Sequence, residues 1–536
     1  MKNSEARGTG VPAGRLGMVV AAMTIGNAII LISQTAVPLA LPSIMSELDV
    51  GAGAAQWTLT ASILPLAGLM VLGGRLADQF GMRRMFVLGS LVFAAASLGS
   101  GLAPSFETLV AFRVLQGIGG ALILPPSVAI VAAAARGTSA GRALGTLGGA
   151  SAVAGAFGPI LGGVLTSAFD WRAVMLVNVP LAALSTGAAL LVVPRDARAA
   201  RRVRVDITGA ALLGLALAGL VFGVTQSQEW GWSSAGVLAP LGTATAAGAL
   251  FVIRERRTRD PLVDFEMFRR YRDYAAATIS QIIGGVVEMG LAVILPLVLI
   301  LNLGLDPAAA GLALLPTTLP MVLVAPLAGR WYDKGGGKIP LVTGFALLAA
   351  SGLALYLGIS IGTLPALMPG LLLYGVGLSI VLTVNDPVSL DQIPEKDHGQ
   401  ASGVSATAEQ FGGAFGIAVL YAIFHASYLA QIGRLITASP LADLAPTQTA
   451  RLRDGIIAAE QTGLTRNDFP ATLQSYLPLA YDASTWGYAM AFLVAGALAL
   501  LGAVTIAILV RTRREDHGEA TASERTLDPD FTYLTK

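Results

Sequence analysis

The sequence predicts an all-α protein that crosses a lipid bilayer many times. Of its 536 residues, 54% are hydrophobic and only 13% are charged, and the mean hydropathy is +0.69. A soluble chain of this length would carry more charge, since about 25% is usual. Apolar runs of about 20 residues, the length that spans hydrocarbon as a helix, recur along the chain. A β-barrel would instead show weak alternating segments of about 10 residues.

Fourteen apolar runs are long enough to be transmembrane helices. Lys and Arg set their orientation, because basic residues concentrate in cytoplasmic loops. With both termini inside, the inner segments hold 29 of the 35 basic residues. The reverse orientation would put the basic clusters at 195–204 and 254–272 outside. The expected spans are 16–41, 56–76, 85–104, 108–134, 143–166, 173–193, 207–226, 236–253, 275–301, 308–329, 339–360, 364–385, 402–425 and 486–510.

Two polar stretches between apolar runs resemble each other. GRLADQFGMRR begins at Gly74, and GRWYDKGGGK begins at Gly329, 255 positions later. A polar cluster repeated between membrane spans predicts two homologous halves that work against each other, as in a carrier. The matched positions are Gly74, Arg75, Asp78, Gly81 and Arg83 in the first stretch and Gly329, Arg330, Asp333, Gly336 and Lys338 in the second.

The spacing of this repeat predicts the domain plan. The offset exceeds the length of the first six spans by enough for two further spans, which gives a 6 + 2 + 6 arrangement. Two pseudo-symmetric six-helix bundles are therefore expected around an inserted pair of helices. The predicted divisions are a cytoplasmic N-terminus at 1–15, a bundle at 16–193, linkers with inserted helices 207–226 and 236–253 at 194–274, a bundle at 275–510 with a long outer loop at 426–485, and a cytoplasmic tail at 511–536.

Four segments carry a resemblance to a known family. They are GRLADQFGMRR, which ends in Arg83 and Arg84; FRVLQGIGGA, with Arg113 and Gln116; GAFGPILGG, with Gly158, Pro159, Gly162 and Gly163; and WRAVMLVNVP, which begins at Trp171. With these motifs the chain resembles the major facilitator superfamily, and within it the fourteen-helix drug:proton antiporters of the QacA/EmrB type. The resemblance covers roughly 16–511. It implies a major facilitator fold and a multidrug or antibiotic exporter that exchanges lipophilic compounds for protons.

The resemblance also implies roles for residues of these motifs. The loop of Gly74, Arg75, Asp78, Gly81, Arg83 and Arg84, with Asp333 of its repeat, is expected to act as a conformational switch, with Asp78 contacting the cytoplasmic end of the eleventh helix. The helix-5 antiporter motif is expected to seal the two halves against leak. Four positions depart from the family: Ser33 stands where the first helix usually has an acid that partners Arg113, and Ser62, Ala154 and Glu409 stand where a Tyr, a Gly and a base are common.

Three ionisable residues lie at membrane depth, away from the ends of the predicted spans, namely Arg113, Glu288 and Glu409. A charge at the bilayer centre costs about 2.5–3.5 kcal/mol on insertion scales, so such groups are expected to face a wet or paired interior. Desolvation favours the neutral form of a carboxyl group, which lets it load and release a proton near neutral pH. We therefore expect Glu288, Glu409 or both to couple transport to protons in place of the missing acid. The alternative is that each acid is a static hydrogen-bonded group.

The substrate cavity is expected among helices 1, 4, 9 and 12, with helices 2, 5, 10 and 13 beside them. A few polar groups in an apolar lining suit a lipophilic ligand of moderate size. Two acids favour a cationic compound, whereas an unpartnered Arg113 favours an anionic one. Prolines such as Pro125 and Pro296 predict bent helices near the cavity. The candidate lining residues are Gln34, Trp57, Gln116, Gln281, Tyr374, Asn385, Gln410 and Phe411.

Other function classes find little support in the sequence. There is no cysteine, and the three histidines form no ligand motif, so neither a metal site nor a cofactor is expected. The GGGK at Gly335–Lys338 lacks the first glycine and the Ser/Thr of a phosphate-binding loop, so no nucleotide is expected. The net charge of +2 gives no indication of nucleic acid. The expected partners are the lipid bilayer, a small substrate and protons, and the chain is expected to be a monomer in a bacterial cell membrane.

Two competing interpretations stay open at this point. One is a metabolite or nutrient carrier of the same fold with different proton coupling or none, which the loss of the helix-1 acid favours. The other is a membrane enzyme or sensor, for which the sequence shows neither a nucleophile constellation nor a soluble signalling domain.

Overall fold

The computed structural model describes residues 13–135, 140–195, 206–258, 261–394, 398–437 and 471–510, together with Leu452, Gly455 and Ile456. Within these residues the regular secondary structure is helical, without a strand. Thirteen helices are long and apolar enough to cross a membrane. The predicted class of a polytopic all-α membrane protein is therefore confirmed. Inner and outer below refer to the orientation expected from the basic residues.

The first eight predicted spans are all helical, and we label them α1 to α8 in chain order. Three of them are split into two segments. Their bounds are α1 Ala13–Leu48, α2 Trp57–Phe80, α3 Met82–Gly101, α4 Phe106–Ala121 and Leu124–Ala134, α5 Ala140–Ala156 and Gly158–Ala168, α6 Trp171–Leu176 and Asn178–Val192, α7 Ile207–Trp230, and α8 Ala235–Glu255.

A short linker helix, Phe265–Arg270, leads from α8 into the remaining six spans. Their bounds are α9 Arg272–Leu297, continued by a π-helical turn at Val298–Asn302, α10 Pro307–Ala313, Leu315–Leu323 and Ala325–Gly335, α11 Lys338–Ile359, α12 Leu364–Leu390, α13 His398–Thr437, and α14 Leu477–Leu509. The three short segments of α10 together cover the predicted span 308–329, and α10 is the predicted span that is not among the thirteen helices of full spanning length.

Proline explains where the split helices break. Phe157, Leu314 and Val324 interrupt their helices two residues before Pro159, Pro316 and Pro326. Proline cannot donate a backbone hydrogen bond, and its ring clashes with the carbonyl four residues earlier. Position matters as well, because α1 runs without a break through both Pro38 and Pro42.

The outer connection between α13 and α14 differs from the expected long loop at 426–485. Helix α13 continues to Thr437, three turns past its predicted end, and α14 begins at Leu477. A six-residue 3₁₀ helix, Ala471–Tyr476, leads into α14. A short helix expected near 447–462 lies almost wholly outside the described residues, although Leu452, Gly455 and Ile456 are helical.

The spans pack as two bundles with an inserted pair at the side. Helices α1 to α6 contact one another, and so do α9 to α14, with the pairs α9–α13 and α11–α12 packed most extensively. The bundles meet where α2 contacts α13, where α5 contacts α10, and where α1 contacts α9. Helix α7 packs against both α2 and α13, and α8 packs mainly against α7. The inserted pair therefore lies along one junction between the bundles.

The repeated polar stretches adopt the same local structure. Gly81 ends α2 with a φ of 107°, and Gly336 ends α10 with a φ of 76°. The amide of each donates to the carbonyl four residues earlier, of Ala77 and Tyr332 respectively. Residues that carry a side chain rarely adopt a positive φ, which is why both turns use glycine. The matched sequences thus form matched turns at the inner ends of α2 and α10.

Candidate functional site

Arg113 lies on α4, fully enclosed by protein at 0% exposure. Its Nη1 donates to the Ser33 hydroxyl at 2.9 Å and to the Gln116 side-chain oxygen. Its Nη2 donates to the Ser62 hydroxyl at 2.9 Å, and its Nε donates to the Thr58 carbonyl. All four acceptors are neutral, and among the described residues no carboxylate forms an ion pair with this guanidinium.

Ser33 therefore takes the place of a counter-ion without supplying a charge. A buried cation held only by neutral oxygens lacks the Coulombic compensation that a carboxylate would give. A cavity of about 10 Å³ lies beside this cluster, lined in part by Ser33, Gln34, Ser62 and Gln116. Gln116 is fixed from its other end, where Nε2 donates to Ser97 at 2.7 Å.

A larger cavity lies between the two bundles. It measures about 60 Å³, which is room for a few water molecules. Helices α1 and α5 contribute Thr35, Leu39 and Pro159, and the second bundle contributes Glu288 and Tyr374 among others. The Tyr374 hydroxyl donates to the Glu288 backbone carbonyl at 3.1 Å. Of the residues predicted for the site, Glu288, Tyr374 and Pro159 thus share one mostly apolar cavity.

Glu409 lies close to Glu288 across the tight α9–α13 contact. A Cβ at Gly285 would overlap the Glu409 backbone carbonyl, so the two helices touch at this level. Gly285 is one turn beyond Gln281 and about one turn before Glu288 on α9. Glu409 also lies within electrostatic range of Glu288 and of a third acid, Asp386 on α12. The two predicted acids therefore belong to a group of three.

Asp386 was not predicted, because the expected end of its span was at residue 385. It accepts a hydrogen bond from Gln281 Nε2 at 2.8 Å. The Gln281 oxygen in turn accepts from Asn385 at 2.7 Å, and the Asn385 oxygen accepts from Ser280 at 2.6 Å. Asp386 is solvent-exposed, although it lies deep among protein atoms. An acid directly before Pro387 in an apolar run was the available sequence signal.

Gln34 joins the two bundles directly. Its Nε2 donates to Gln410 Oε1 at 3.0 Å, from α1 to α13. Its own Oε1 is buried without a hydrogen-bond partner among the described residues. Ser33 and Glu409 are the sequence neighbours of this pair, so the hydrogen bond lies at the level where the Arg113 cluster and the acidic group face each other across the bundles.

Of the eight predicted lining residues, Tyr374 borders the central cavity, whereas Gln34 and Gln116 line the smaller cavity beside Arg113. The other five, Trp57, Gln281, Asn385, Gln410 and Phe411, border neither cavity. Trp57 packs against Phe222 of the inserted helix α7, with ring centroids 5.6 Å apart. Phe411 stacks on Phe415 of its own helix at 5.8 Å. Neither side chain borders the central cavity.

The helix-5 glycines lie at close backbone contacts. A Cβ at Gly158 or Gly162 would overlap Thr35 or Ala36 of α1. A Cβ at Gly163 would overlap the carbonyl of Pro307, at the outer start of α10. The amide of Ala308 also donates to the Ser167 hydroxyl at 3.1 Å. Pro159 and its glycines therefore lie where α5 packs against both its own bundle and the other one.

The inner end of α2 contacts the connection that follows the inserted pair, and the turn after α2 contacts α6. Arg75 donates to the Pro261 carbonyl at 2.7 Å, and Arg83 donates to the Leu190 carbonyl. Arg84 and Asp333 lie at the matching turns, and Gly74 lies nearly two turns before the end of α2. The Asp78 side chain is outside the described part of the structure, so its expected contact with the eleventh helix stays a prediction.

An ion pair fixes the start of α7 to the end of α8. Asp206 caps α7, because its carboxylate accepts a hydrogen bond from the Gly209 amide at 2.8 Å. The same carboxylate accepts from Arg254, with Nε 3.0 Å from both oxygens and Nη2 2.8 Å from Oδ1. Burial acts to raise the pKa of Asp206, but the hydrogen bonds from Arg254 and Gly209 outweigh it and hold that pKa below its usual value. Among the described residues there is no group of three or more His, Asp or Glu placed to hold a metal.

Comparison with known proteins decides the family. The family model of the Major Facilitator Superfamily matches residues 23–417. The chain belongs to this superfamily. This major facilitator protein is 31% identical over 525 residues to the tetracenomycin C resistance and export protein of Streptomyces glaucescens, covering 95% of this chain and 94% of that protein. It is 34% identical over 408 residues to the cephamycin export protein CmcT of Amycolatopsis lactamdurans, covering 74% and 82%.

Solved structures agree with this facilitator fold. A bacterial homologue of the human lysosomal transporter Spinster, in an inward-facing and occupied conformation, superposes with a TM-score of 0.60 at 17% identity, covering 93% of this chain and 97% of that one. A D-xylose–proton symporter gives a TM-score of 0.59 at 14% identity, covering 92% and 98%. The predicted major facilitator fold is confirmed, and the protein is a multi-pass membrane transporter.

Proposed function

We propose that this major facilitator protein exports lipophilic small molecules, antibiotics among them, across the cell membrane in exchange for protons. The two bundles alternate between exposing the central cavity to the inside and to the outside. The protein acts as a monomer with both termini in the cytoplasm, as its basic residues favour.

The functions for which the relatives are named support the choice of substrate class. They include export of tetracenomycin C and of cephamycin, and the lincomycin resistance protein of Streptomyces lincolnensis is 33% identical over 402 residues, covering 75% of this chain and 83% of that protein. These names describe structurally different antibiotics. A cavity with a mostly apolar lining and few polar groups suits such compounds once the bundles separate.

The position of Glu288 carries the proposal of proton coupling. Its carboxyl-bearing side chain borders the cavity that both bundles line, opposite Thr35 and Pro159. A group at such a place is accessible from each side in turn when the bundles move. It can then bind a proton from outside and release it inside, while substrate occupies the same cavity in the opposite phase.

The neutral surroundings of Arg113 favour a proton route through the second bundle. Because its acceptors are the neutral groups of Ser33, Ser62, Gln116 and Thr58, no acid next to it exchanges protons. Coupling must then use the acids of α9, α12 and α13. The available energy suffices, since one proton moving down 100 mV supplies about 2.3 kcal/mol and each 1.4 kcal/mol is a tenfold gradient.

Transport by purified protein in liposomes tests this proposal. Tetracenomycin C, cephamycin, lincomycin and ethidium are supplied in turn, and both compound flux and proton flux are recorded. Wild-type protein is expected to move protons only with a transported compound. Glu288→Gln and Glu409→Gln are expected to bind the compound but to lose pH-driven transport.

Glu107→Gln is the matched control, because Glu107 is an exposed acid in the outer first turn of α4. If both single variants and the double variant keep full pH-driven export, these acids do not couple transport. Compound flux without proton movement would instead favour an uncoupled carrier. An uncoupler that leaves accumulation in whole cells unchanged would point to the same alternative.

A further inference from the structure

We propose that Asp386 is the inner proton port of this transporter, which receives the proton from Glu409 and passes it to the cytoplasmic water. This inference rests on the proposed proton-coupled export and adds the direction and the last step of the proton's path. It concerns a residue that lies outside the central cavity and one turn from the inner end of α12.

The three acids are arranged in order along the membrane normal. The hydrogen bond between Gln281 and Asp386 places Asp386 at the level of residue 281 on α9. The contact at Gly285 places Glu409 one turn farther out, and Glu288 follows at the cavity. From Gln281 to Glu288 the helix rises by about 10 Å, at about 1.5 Å per residue. Glu409 is therefore the middle member, within electrostatic range of both others.

Solvent exposure changes in the same order. Asp386 is exposed, whereas Glu409 and Glu288 are only partly exposed. The outer side is closed by contacts of α5 with α10, at Gly163 with Pro307 and at Gly311 with Pro159. Water on the inner side therefore meets Asp386 first, and the other two acids are reached only beyond it.

A buried hydroxyl lies one turn inward of Glu409 on α13. Ser405 is one turn before Glu409 on α13, on the same face of that helix. It is 1% exposed, and its hydroxyl has no hydrogen-bond partner among the described residues. A hydroxyl can accept and donate at once, so Ser405 is suited to hold a water or a proton in transit.

The proton balance of this step is simple. The protonated Glu409 carboxyl gives its proton to a relay formed by water and the Ser405 hydroxyl, which passes a proton on to the Asp386 carboxylate, and Asp386 gives it to inner water. Gln281 holds the Asp386 carboxylate by donating to it and so favours its return to the ionised form. Two other acids near this end, within the part of the chain that the structure describes, have partners of their own: Asp273 accepts from Gln392, and Asp391 accepts from Tyr332.

The test uses Asp386→Asn in liposomes with separately controlled inner and outer pH. The compound is the one among tetracenomycin C, cephamycin, lincomycin and ethidium that wild-type protein exports fastest. Positioned acids typically change proton-transfer rates by 10²-fold or more, and we expect coupled transport to fall at least about tenfold with unchanged binding of the compound. Wild-type transport should slow as the cytoplasmic side is acidified, because Asp386 must be ionised to accept a proton. Asp386→Asn should lose this dependence but keep its response to pH on the other side.

Asp391→Asn is the matched control, because it removes one negative charge five residues farther along. Asp386→Glu restores a carboxyl and is expected to recover the dependence on cytoplasmic pH. If Asp386→Asn does not fold, Gln281→Leu keeps the acid but removes its hydrogen bond, and it should slow transport several-fold.

The outcomes separate this inference from the proposed function. If wild-type protein exports a compound with protons but Asp386→Asn matches Asp391→Asn in rate and pH profile, Asp386 is not the port. A wild-type rate in Gln281→Leu would overturn the inference in the same way. If wild-type protein moves no protons with any of the four compounds, the proposed function itself is wrong.

Discussion

Adding one methyl group at Gly163 should open the outer side of this transporter. Gly163 lies on the outer part of α5, directly against the start of α10 in the other bundle. A Cβ there would overlap the Pro307 carbonyl oxygen and come within 3.0 Å of its carbon. Both partners are backbone, so neither can rotate out of the way as a side chain could.

The size of the effect follows from the cost of overpacking. Extra methyl groups in well-packed contacts cost about 1–3 kcal/mol. The cost applies to the closed outer side and not to the open one, in which α5 and α10 separate. Since each 1.4 kcal/mol is a factor of ten, Gly163→Ala should shift the open-to-closed ratio by about 5- to 150-fold.

Cysteine labelling measures this ratio. The chain has no cysteine of its own, so Ala292→Cys in the central cavity provides a single reporter of similar size. A membrane-impermeant maleimide added outside reaches this position only when the outer side is open. Its labelling rate should therefore rise in the Gly163→Ala background.

Gly187→Ala is the matched control, because a Cβ at that helical position would meet nothing within 4 Å. It should leave the labelling rate of the reporter unchanged. Equal rates in the Gly163→Ala and Gly187→Ala backgrounds would refute the assignment of the outer seal to the Gly163 contact.

Three further predictions concern stability and are measured as thermal melting of the detergent-solubilised protein. Gly81→Ala and Gly336→Ala should each lower the free energy of unfolding by about 1–3 kcal/mol, because both glycines have positive φ; unequal effects would contradict their structural equivalence. Ser33→Asp should raise the melting temperature by giving the buried guanidinium of α4 a counter-ion, whereas a fall would show that the cluster has no room for a carboxylate. Asp206→Asn should lower the melting temperature at pH 7 because it loses the Arg254 pair. That difference should begin to shrink only as pH falls below about 4, the usual pKa of an aspartate in an unfolded chain, and it should vanish below the depressed folded-state pKa of Asp206.

The sequence predicted the spans and the family well, and their precise ends less well. Hydropathy detects the part of a helix that must be apolar, but it cannot see a helix that continues into water. For this reason the span of α13 was predicted to end at 425, whereas the helix runs to Thr437. The same limitation excluded Asp386, one residue past the expected end of α12, from the predicted acids.

Side-chain partners required the three-dimensional structure. Glu288 and Glu409 were both predicted because charges inside apolar runs are rare, but their sequence separation gives no indication that they lie close together. Trp57 was expected at the cavity because it belongs to a span beside it, whereas the inserted helix α7 offers Phe222 as a packing partner. Which side chains meet depends on the face that each helix turns towards its neighbours, and a single sequence carries little information about that face.

The position of α7 also determines how a lipid-dissolved compound approaches the protein. Helix α7 packs against both α2 and α13, and so it screens that lateral junction from the acyl chains. Within the described residues, neither inserted helix packs comparably against α5 or α10, where the two bundles also meet. The inserted pair therefore covers one lateral junction of the transporter and leaves the α5–α10 junction without an added helix.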